Sequence, residues 1–163
     1  MIEELINPLW DYSLKLYTQE DIKQLCITLQ DNYDANVNIV LWCCWYASEL
    51  GQFSQEFLNQ ILASNAPWHD HVTRQLRQAR QWLRNNQQNK LVQPFRQQIL
   101  QLEITSEAFQ QKQLYELSVN QNKTAQNSVN AAHSNLQMYF NSLTARISEH
   151  HWQLIKMNLL PRI

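Results

Sequence analysis

The chain has 163 residues, the usual size of one domain, and is long enough to bury a hydrophobic core without cross-links. Its net charge of −1, with 17% charged residues, identifies neither a nucleic-acid-binding nor a membrane-surface protein. One glycine and four prolines exclude most β-rich folds, because strand connections need turn residues. The 22 glutamines and 16 asparagines are scattered among apolar residues, which is typical of solvated helix surface.

The first two helices are predicted from their capping residues. Asn7 is a favourable N-cap and Pro8 suits the first helical position, so a helix is expected through Tyr17. Thr18 and Asp21 resemble a capping box that would open the second helix. The apolar face predicted for this second helix consists of Ile22, Leu25, Cys26 and Leu29.

The third helix is predicted from the longest apolar run of the chain, residues 39–47. Asp34 or Asn36 would cap its start, and Gly51 would end it in a left-handed conformation. Nine apolar residues are too few to cross a bilayer, which takes about 20. The run therefore predicts a central core helix rather than a membrane span.

The middle of the chain predicts two separate helices. The first starts near Ser54 and ends near Ala63, and Pro67 would open the second, which continues to about Asn85. Residues 85–89 predict a loop, because they consist only of Asn and Gln.

The C-terminal part predicts a long antiparallel helix pair, 94–118 and 125–157. The second member has apolar residues spaced alternately by three and four, like a coiled-coil seam. The seam residues are Val129, Ala132, Leu136, Tyr139, Leu143, Ile147, His150, Leu154 and Met157. The predicted fold is thus an all-α single domain of six or seven helices. An N-terminal helical layer (about 7–85) would precede a C-terminal helical hairpin (about 94–157).

Three motifs carry a family resemblance: LWDYSLKLY at 9–17, CITLQD at 26–31 and VNIVLW at 37–42. They resemble a small, uncharacterised proteobacterial family of all-helical proteins. The likeness covers about residues 9–50, with a weaker echo at 96–114. Since that family has no established activity, the resemblance implies no substrate, cofactor or catalytic residue.

Two residues depart from the pattern of that family. Asp34 stands where the family has Gly, and Asn36 stands where it has Asp. An amide cannot act as a general base or carry charge to a metal, whereas Asn and Asp are both good N-caps. The exchange favours a structural role at Asn36.

The cysteines and histidines do not predict catalysis or metal binding. Cys26, Cys43 and Cys44 are an odd number, two of them in the apolar run, and the first residues lack the basic segment of a signal peptide. These features predict buried, reduced thiols in a cytoplasmic protein. The sequence lacks a Gly-rich phosphate loop and a Glu-x-x-His pair, so no metal site and no cofactor are expected, and a non-catalytic protein is favoured over an enzyme.

An arginine stripe is the first candidate site. Arg74, Arg77, Arg80 and Arg84 recur every three or four residues, so they fall on one side of a helix. The stripe indicates either an anion or acidic-partner site, with RNA or ribosome association as one form of it, or a solvated face partly paired with the acidic N-terminal third.

A polar pocket is the second candidate site. Trp10, Asp11, Asp31 and Asn38 lie beside apolar helix faces, where they would line a small pocket or satisfy helix ends.

The preferred functional hypothesis is a non-catalytic cytoplasmic adaptor that binds another protein or a second copy of itself. This hypothesis is motivated by the six tryptophans, by the apolar seam and by the uneven distribution of charge. Residues 1–60 hold nine acidic and two basic side chains, whereas residues 61–102 hold one acidic and six basic side chains. The predicted buried face of the helix after Pro67 consists of Val72, Leu76, Ala79 and Leu83, and Trp82 lies off this face, so it is expected to be partly exposed. The first alternative is a ligand-binding or enzymatic bundle using the pocket, and the second is RNA or ribosome association through the arginine stripe.

Overall fold

The structure is a computed structural model that describes residues 3–86 and 90–163, and it is all-helical, with no strand in either range. The predicted all-α fold class is confirmed. The α-helices are α1 (Pro8–Tyr17), α2 (Glu20–Tyr33), α3 (Val37–Glu49), α4 (Gln55–Trp68), α5 (Arg74–Asn85), α6 (Val92–Ser118), α7 (Ser128–Asn141) and α8 (Glu149–Leu154). Short 3-10 segments lie at Glu3–Leu5 and Leu160–Arg162, and π-helical turns at His69–Thr73 and Ile155–Leu159.

Helix α3 is the centre of the core, as its apolar run predicts. Every residue from Asn38 to Ala47 is buried. The helix packs most extensively on α7 and is also contacted by α1, α2 and α6. The Trp42 ring stacks on Phe53 with centroids 4.8 Å apart, and its Nε1 donates to Ser118 Oγ at 2.9 Å. The largest side chain of the run is thus both packed and hydrogen-bonded.

The predicted N-caps of α1 and α3 are confirmed. Asn7 Oδ1 accepts from the backbone N–H groups of Leu9 and Trp10, each at 3.1 Å. Asn36 Oδ1 accepts from Asn38 N at 3.0 Å, so of the two proposed caps of α3 it is Asn36 that fills the role.

Asp34 is not the N-cap of α3, although the sequence offers it as an alternative to Asn36. It is the C-terminal cap of α2, with a left-handed backbone at φ +55°. Glycine adopts this conformation most easily, which gives a physical reason for the Gly in the resembled pattern.

The predicted capping box at Thr18 is wrong. Helix α2 begins one residue later than that box requires, with Gln19 as an N-cap whose side chain makes no capping hydrogen bond. Thr18 instead caps the end of α1, where its Oγ1 donates to Lys15 O at 2.8 Å. Only Thr18 and Gln19 connect the two helices, and Thr18 serves the first of them.

Gly51 ends α3 as predicted. Its φ is +92°, and its N–H donates to Tyr46 O at 3.0 Å. A Cβ at this position would collide with Thr124 Oγ1, which belongs to the connection between α6 and α7. Both the backbone conformation and the close approach require glycine here.

The prediction that Pro67 opens a new helix is wrong. Pro67 lies inside α4, and the chain stays helical from Gln55 to Asn85 through the π-helical turn His69–Thr73. Proline costs a helix one hydrogen bond, and the π turn directly after it absorbs the irregularity. Because α4, the turn and α5 all pack on α6, tertiary contacts keep the segment helical. Residues 87–89 of the predicted loop lie outside the described residues.

The predicted helix over 125–157 is also wrong. Helix α7 ends at Asn141, and α8 starts only at Glu149. Ser142 Oγ donates to Tyr139 O at 2.6 Å, and Ser148 Oγ accepts from His151 N at 3.2 Å, so two serines stop one helix and start the next. The apolar spacing therefore does not form one continuous seam. The predicted antiparallel hairpin is replaced by two separate pairings, α5 with α6 and α7 with α3.

In the part of the chain that the structure describes, no helix combines the length and the apolar character needed to cross a membrane.

Candidate functional site

A cavity of ≈ 420 Å³ lies between α1, α2, α3, α5 and α6. Its size falls in the range of small-molecule sites. Its apolar lining includes Leu14, Ile27, Val37, Leu41, Leu100 and Ile104. Positions three or four apart share one helix face, which is why α6 contributes Leu100, Glu103, Ile104, Glu107 and Gln111. By the same rule, α1 contributes Trp10, Ser13, Leu14 and Tyr17.

Two arginines and two glutamates form an ionic cluster in this lining. Arg77 donates from Nε to Glu103 Oε1 at 3.0 Å and from Nη2 to Glu107 Oε1 at 2.7 Å. Arg80 donates from Nη2 to the same Glu103 Oε1 at 3.1 Å, and its Nε contacts Glu103 Oε2. The four formal charges balance, as buried charges must to offset their loss of hydration.

The members of this ionic cluster are shielded from water to different degrees. The side chain of Glu103 is 4% exposed, those of Arg77 and Arg80 are 12% and 21% exposed, and that of Glu107 is 28% exposed. The hydrogen bond to Glu103 raises the pKa of Arg80. Burial raises the pKa of the Glu107 carboxyl, and the charge of Arg77 opposes this effect.

A buried amide network adjoins the cavity. Asn38 Nδ2 donates to Gln110 Oε1 at 2.8 Å, and Gln111 Nε2 donates to Asn38 Oδ1 at 2.9 Å. Gln110 Nε2 in turn donates to Asn65 Oδ1 at 3.0 Å, and Thr73 Oγ1 donates to Gln110 Oε1 at 3.2 Å. The network joins α3 and α6 to α4 and the π turn, and it fixes the side-chain orientation of Asn38 and Gln111.

Two buried polar atoms of the lining have no hydrogen-bond partner in the part of the chain that the structure describes. Ser13 is 4% exposed and Gln111 is 2% exposed. Among the described residues, none makes a hydrogen bond to Ser13 Oγ or Gln111 Oε1. An unpartnered buried polar group costs about 1–3 kcal/mol, so such groups mark places where a further hydrogen-bonding molecule is favoured.

A second cleft, of ≈ 490 Å³, lies on the other side of α1. It is lined by Pro8, Tyr12, Trp45, Glu49, Leu50, Tyr115 and Val119. Glu49 is the only charged residue among these, and it has no cationic neighbour in the lining. This cleft therefore lacks the paired charges that distinguish the first cavity.

Residues 8–114 match the family model described as "Protein of unknown function (DUF2390)". The chain belongs to this family. The match confirms the resemblance carried by the N-terminal motifs and extends it through Glu103 and Glu107 to Leu114. Neither the curated proteins nor the solved structures contain a match to this chain.

All residues that line the first cavity lie within the segment that defines the DUF2390 family, from Trp10 to Gln111. Helices α7 and α8 lie outside the matched segment and contribute nothing to the lining. The cavity is thus built entirely from the family's own part of the chain.

The structure brings two of the four predicted pocket residues together. Trp10 and Asn38 line the cavity, whereas Asp11 and Asp31 are exposed and do not. Each of these aspartates follows a lining residue, Trp10 or Gln30, and one residue along a helix turns the side chain by about 100°. The sequence interpretation missed Ser13, although it lies within the motif LWDYSLKLY.

The arginine stripe is divided rather than continuous. Arg77 and Arg80 face the cavity, Arg84 is exposed, and Arg74 binds Asp34 at 2.9 Å and Asp70 at 3.5 Å. Among the stripe residues, Arg74 pairs with the acidic N-terminal third, through Asp34. Arg74, Arg77 and Arg80 are occupied by internal carboxylates, so these three arginines give the nucleic-acid hypothesis no support.

The sequence does contain a signal that links the arginine stripe to α6: each of the two helices carries a pair of charged residues on one face, with opposite signs on the two helices. Arg77 and Arg80 are three apart on one helix, and Glu103 and Glu107 are four apart on another. Pairing the two helices would have placed these charges face to face.

The cysteines are buried and unpaired. Burial raises the pKa of Cys26 to about 12 and also raises those of Cys43 and Cys44, so their reactive thiolate forms are disfavoured. Across residues 3–86 and 90–163, no group of three or more His, Cys, Asp or Glu side chains could hold a metal ion.

Proposed function

We propose that the protein binds a small organic molecule in the cavity between α1, α2, α3, α5 and α6. The observation that carries this proposal is a pair of buried polar atoms without a partner among the described residues, Ser13 Oγ and Gln111 Oε1, in a lining that combines apolar side chains with the ionic cluster. Binding sites for small molecules combine apolar walls with a few polar groups that fix the orientation of the ligand.

We propose binding without catalysis. Glu103 is held by both arginines, which keeps it from moving a proton, and the cysteine thiols are buried away from reactants. The free buried thiols support a reducing compartment, and we propose that this compartment is the cytoplasm.

The proposal is tested by filling the cavity. Fragments that bind the wild-type protein would be found by ligand-observed NMR and re-measured with the variant Ile104→Trp, whose larger side chain occupies the cavity. Leu102→Trp is the matched control, because Leu102 lies on the same helix but is 55% exposed. We expect fragment binding to survive in the control and to disappear in Ile104→Trp. If no fragment binds, or if both variants bind equally well, the proposal is wrong.

A second candidate function, a protein-interaction adaptor, is favoured by exposed aromatic residues. Trp82 on α5 is 64% exposed and Phe95 on α6 is 53% exposed. Large exposed aromatic side chains are typical of protein interfaces. If a second copy of the chain is the partner, sedimentation should show a dimer at high micromolar concentration, and the double variant Trp82→Ser, Phe95→Ser should be monomeric. A monomeric wild-type protein would exclude self-association.

A further inference from the structure

Resting on the ligand-binding function proposed above, we propose that the cavity binds a monocarboxylate with an apolar tail, whose head group replaces Glu107 at Arg77. The tail would pack on the apolar residues of α1, α2, α3 and α6 that line the cavity. Arg77 is suited to the head group, because a guanidinium matches the planar geometry of a carboxylate.

The two glutamates hold their arginines unequally. Glu103 accepts hydrogen bonds from both Arg77 and Arg80 and is almost completely shielded from water. Among the described residues, Glu107 has a hydrogen bond to Arg77 alone, and its side chain is 28% exposed. Glu107 is therefore the carboxylate that an incoming ligand would displace.

The charge balance selects a ligand with one negative charge. Arg77 and Arg80 are already neutralised by Glu103 and Glu107, so an added carboxylate needs one compensating proton. Burial and the neighbouring Glu103 raise the pKa of Glu107, so this is the group that would take up the proton. A dianionic head group such as a phosphate monoester would leave a further charge uncompensated.

Gln111 supplies an acceptor for the hydrogen bond that a protonated Glu107 would donate. It lies four residues after Glu107 on α6, and side chains at this spacing are neighbours on a helix surface. Its Oε1 is a buried acceptor without a partner among the described residues, while its Nε2 is held by Asn38. A protonated Glu107 would donate to this oxygen, which gives the unpartnered acceptor a function.

The remaining titratable groups near Glu107 do not compete for the proton. Arg77 and Arg80 of α5 stay charged, and burial raises the pKa of Tyr17 on α1, so its hydroxyl stays neutral. Lys23 of α2 lines the cavity and pairs with Glu20 at 3.6 Å. Burial lowers the pKa of His69 in the adjoining π turn, which keeps its ring neutral at neutral pH. From α3 come Val37, Asn38 and Leu41, none of which titrates.

The test compares octanoate with octanamide, which has the same tail and a neutral head group, by titration calorimetry of the full chain. We expect octanoate to bind more tightly than octanamide, and its affinity to rise as the pH is lowered from about 8 to about 6. Titrations in two buffers of different ionisation enthalpy should show about one proton taken up with octanoate and none with octanamide.

Two variants assign the effect to the proposed residues. Glu107→Gln should bind octanoate about tenfold more tightly at neutral pH, without proton uptake, because the competing carboxylate is gone. Glu116→Gln is the matched control, since Glu116 lies on the same helix, is exposed and pairs with Lys112. Arg77→Lys keeps the charge but not the planar fork, and should weaken octanoate binding about tenfold while leaving octanamide binding unchanged.

Three results would overturn the inference. The first is equal affinity for octanoate and octanamide, and the second is that neither binds to a protein that does bind fragments in the cavity. Either result rejects a carboxylate as the ligand's head group but leaves the proposed ligand binding intact. Octanoate binding without proton uptake rejects the displacement of Glu107. This last measurement uses only the wild-type protein, so it decides the matter even if Glu107→Gln does not fold.

Discussion

Two regions along α3 are packed differently. In the region from Trp42 to Phe53, which we call the aromatic side, rings fill the space, Trp42 Nε1 pairs with Ser118, and the Asn135 amide pairs with Gly51 O and Phe53 N. In the region from Val37 to Leu41, which we call the cavity side, the helix borders a cavity where Ser13 Oγ and Gln111 Oε1 have no hydrogen-bond partner among the described residues. The aromatic side is therefore filled core, whereas the cavity side borders the open space of the candidate site.

The largest expected effect lies on the aromatic side. Trp42→Ala should lower the free energy of unfolding by about 3–5 kcal/mol, because it empties a fully buried position and leaves Ser118 without its donor. Urea denaturation measures the loss, and Trp82→Ala is the matched control, since Trp82 is 64% exposed and should change stability by less than about 0.5 kcal/mol. A similar loss in both variants would contradict the distinction between core and surface tryptophans.

A smaller effect is expected where the aromatic side is closed by Gly51. Gly51→Ala should cost about 1–3 kcal/mol, because alanine is strained at φ +92° and its Cβ collides with Thr124 Oγ1. In a Thr124→Ala background, which has already lost the hydrogen bonds of Thr124 Oγ1 with Gln52 N and Leu50 O, Gly51→Ala no longer meets this oxygen but keeps the backbone strain, so it should cost less than in the wild type. No cost at all in that background would show that the positive φ contributes nothing.

Local signals were readable from the sequence, and long-range ones were not. Asn7, Asn36 and Gly51 were predictable because a cap acts on backbone groups within a few residues of itself. The break after Asn141 was not, because the apolar spacing continues across Ser142 and Ser148 and hides the two serine caps. The end of α7 is set by the hydrogen bonds of serine side chains, which the spacing of apolar residues does not reveal.

The candidate site shows the same division between local and long-range information. The sequence predicts Trp10 and Asn38 as residues of one candidate site and Arg77 and Arg80 as residues of another, whereas all four line one cavity in the structure. Their meeting in one cavity requires that α5 lie against α6, which places Glu103 opposite the arginines. That contact joins residues 23 or more positions apart, and no local pattern encodes it.

The smallest effect is the sharpest test of the two sides, because it uses the same substitution in both. Ser118→Ala should cost about 1–3 kcal/mol, since it leaves the indole N–H of Trp42 buried without an acceptor. Ser13→Ala should not lower the free energy of unfolding, because Ser13 Oγ has no partner to lose and its burial without one is itself unfavourable. Both serines are buried, so burial alone predicts equal costs, and parallel urea titrations separate the two expectations. A large loss in Ser13→Ala would mean that its hydroxyl already has a structural partner, which would remove the observation on which the ligand site rests.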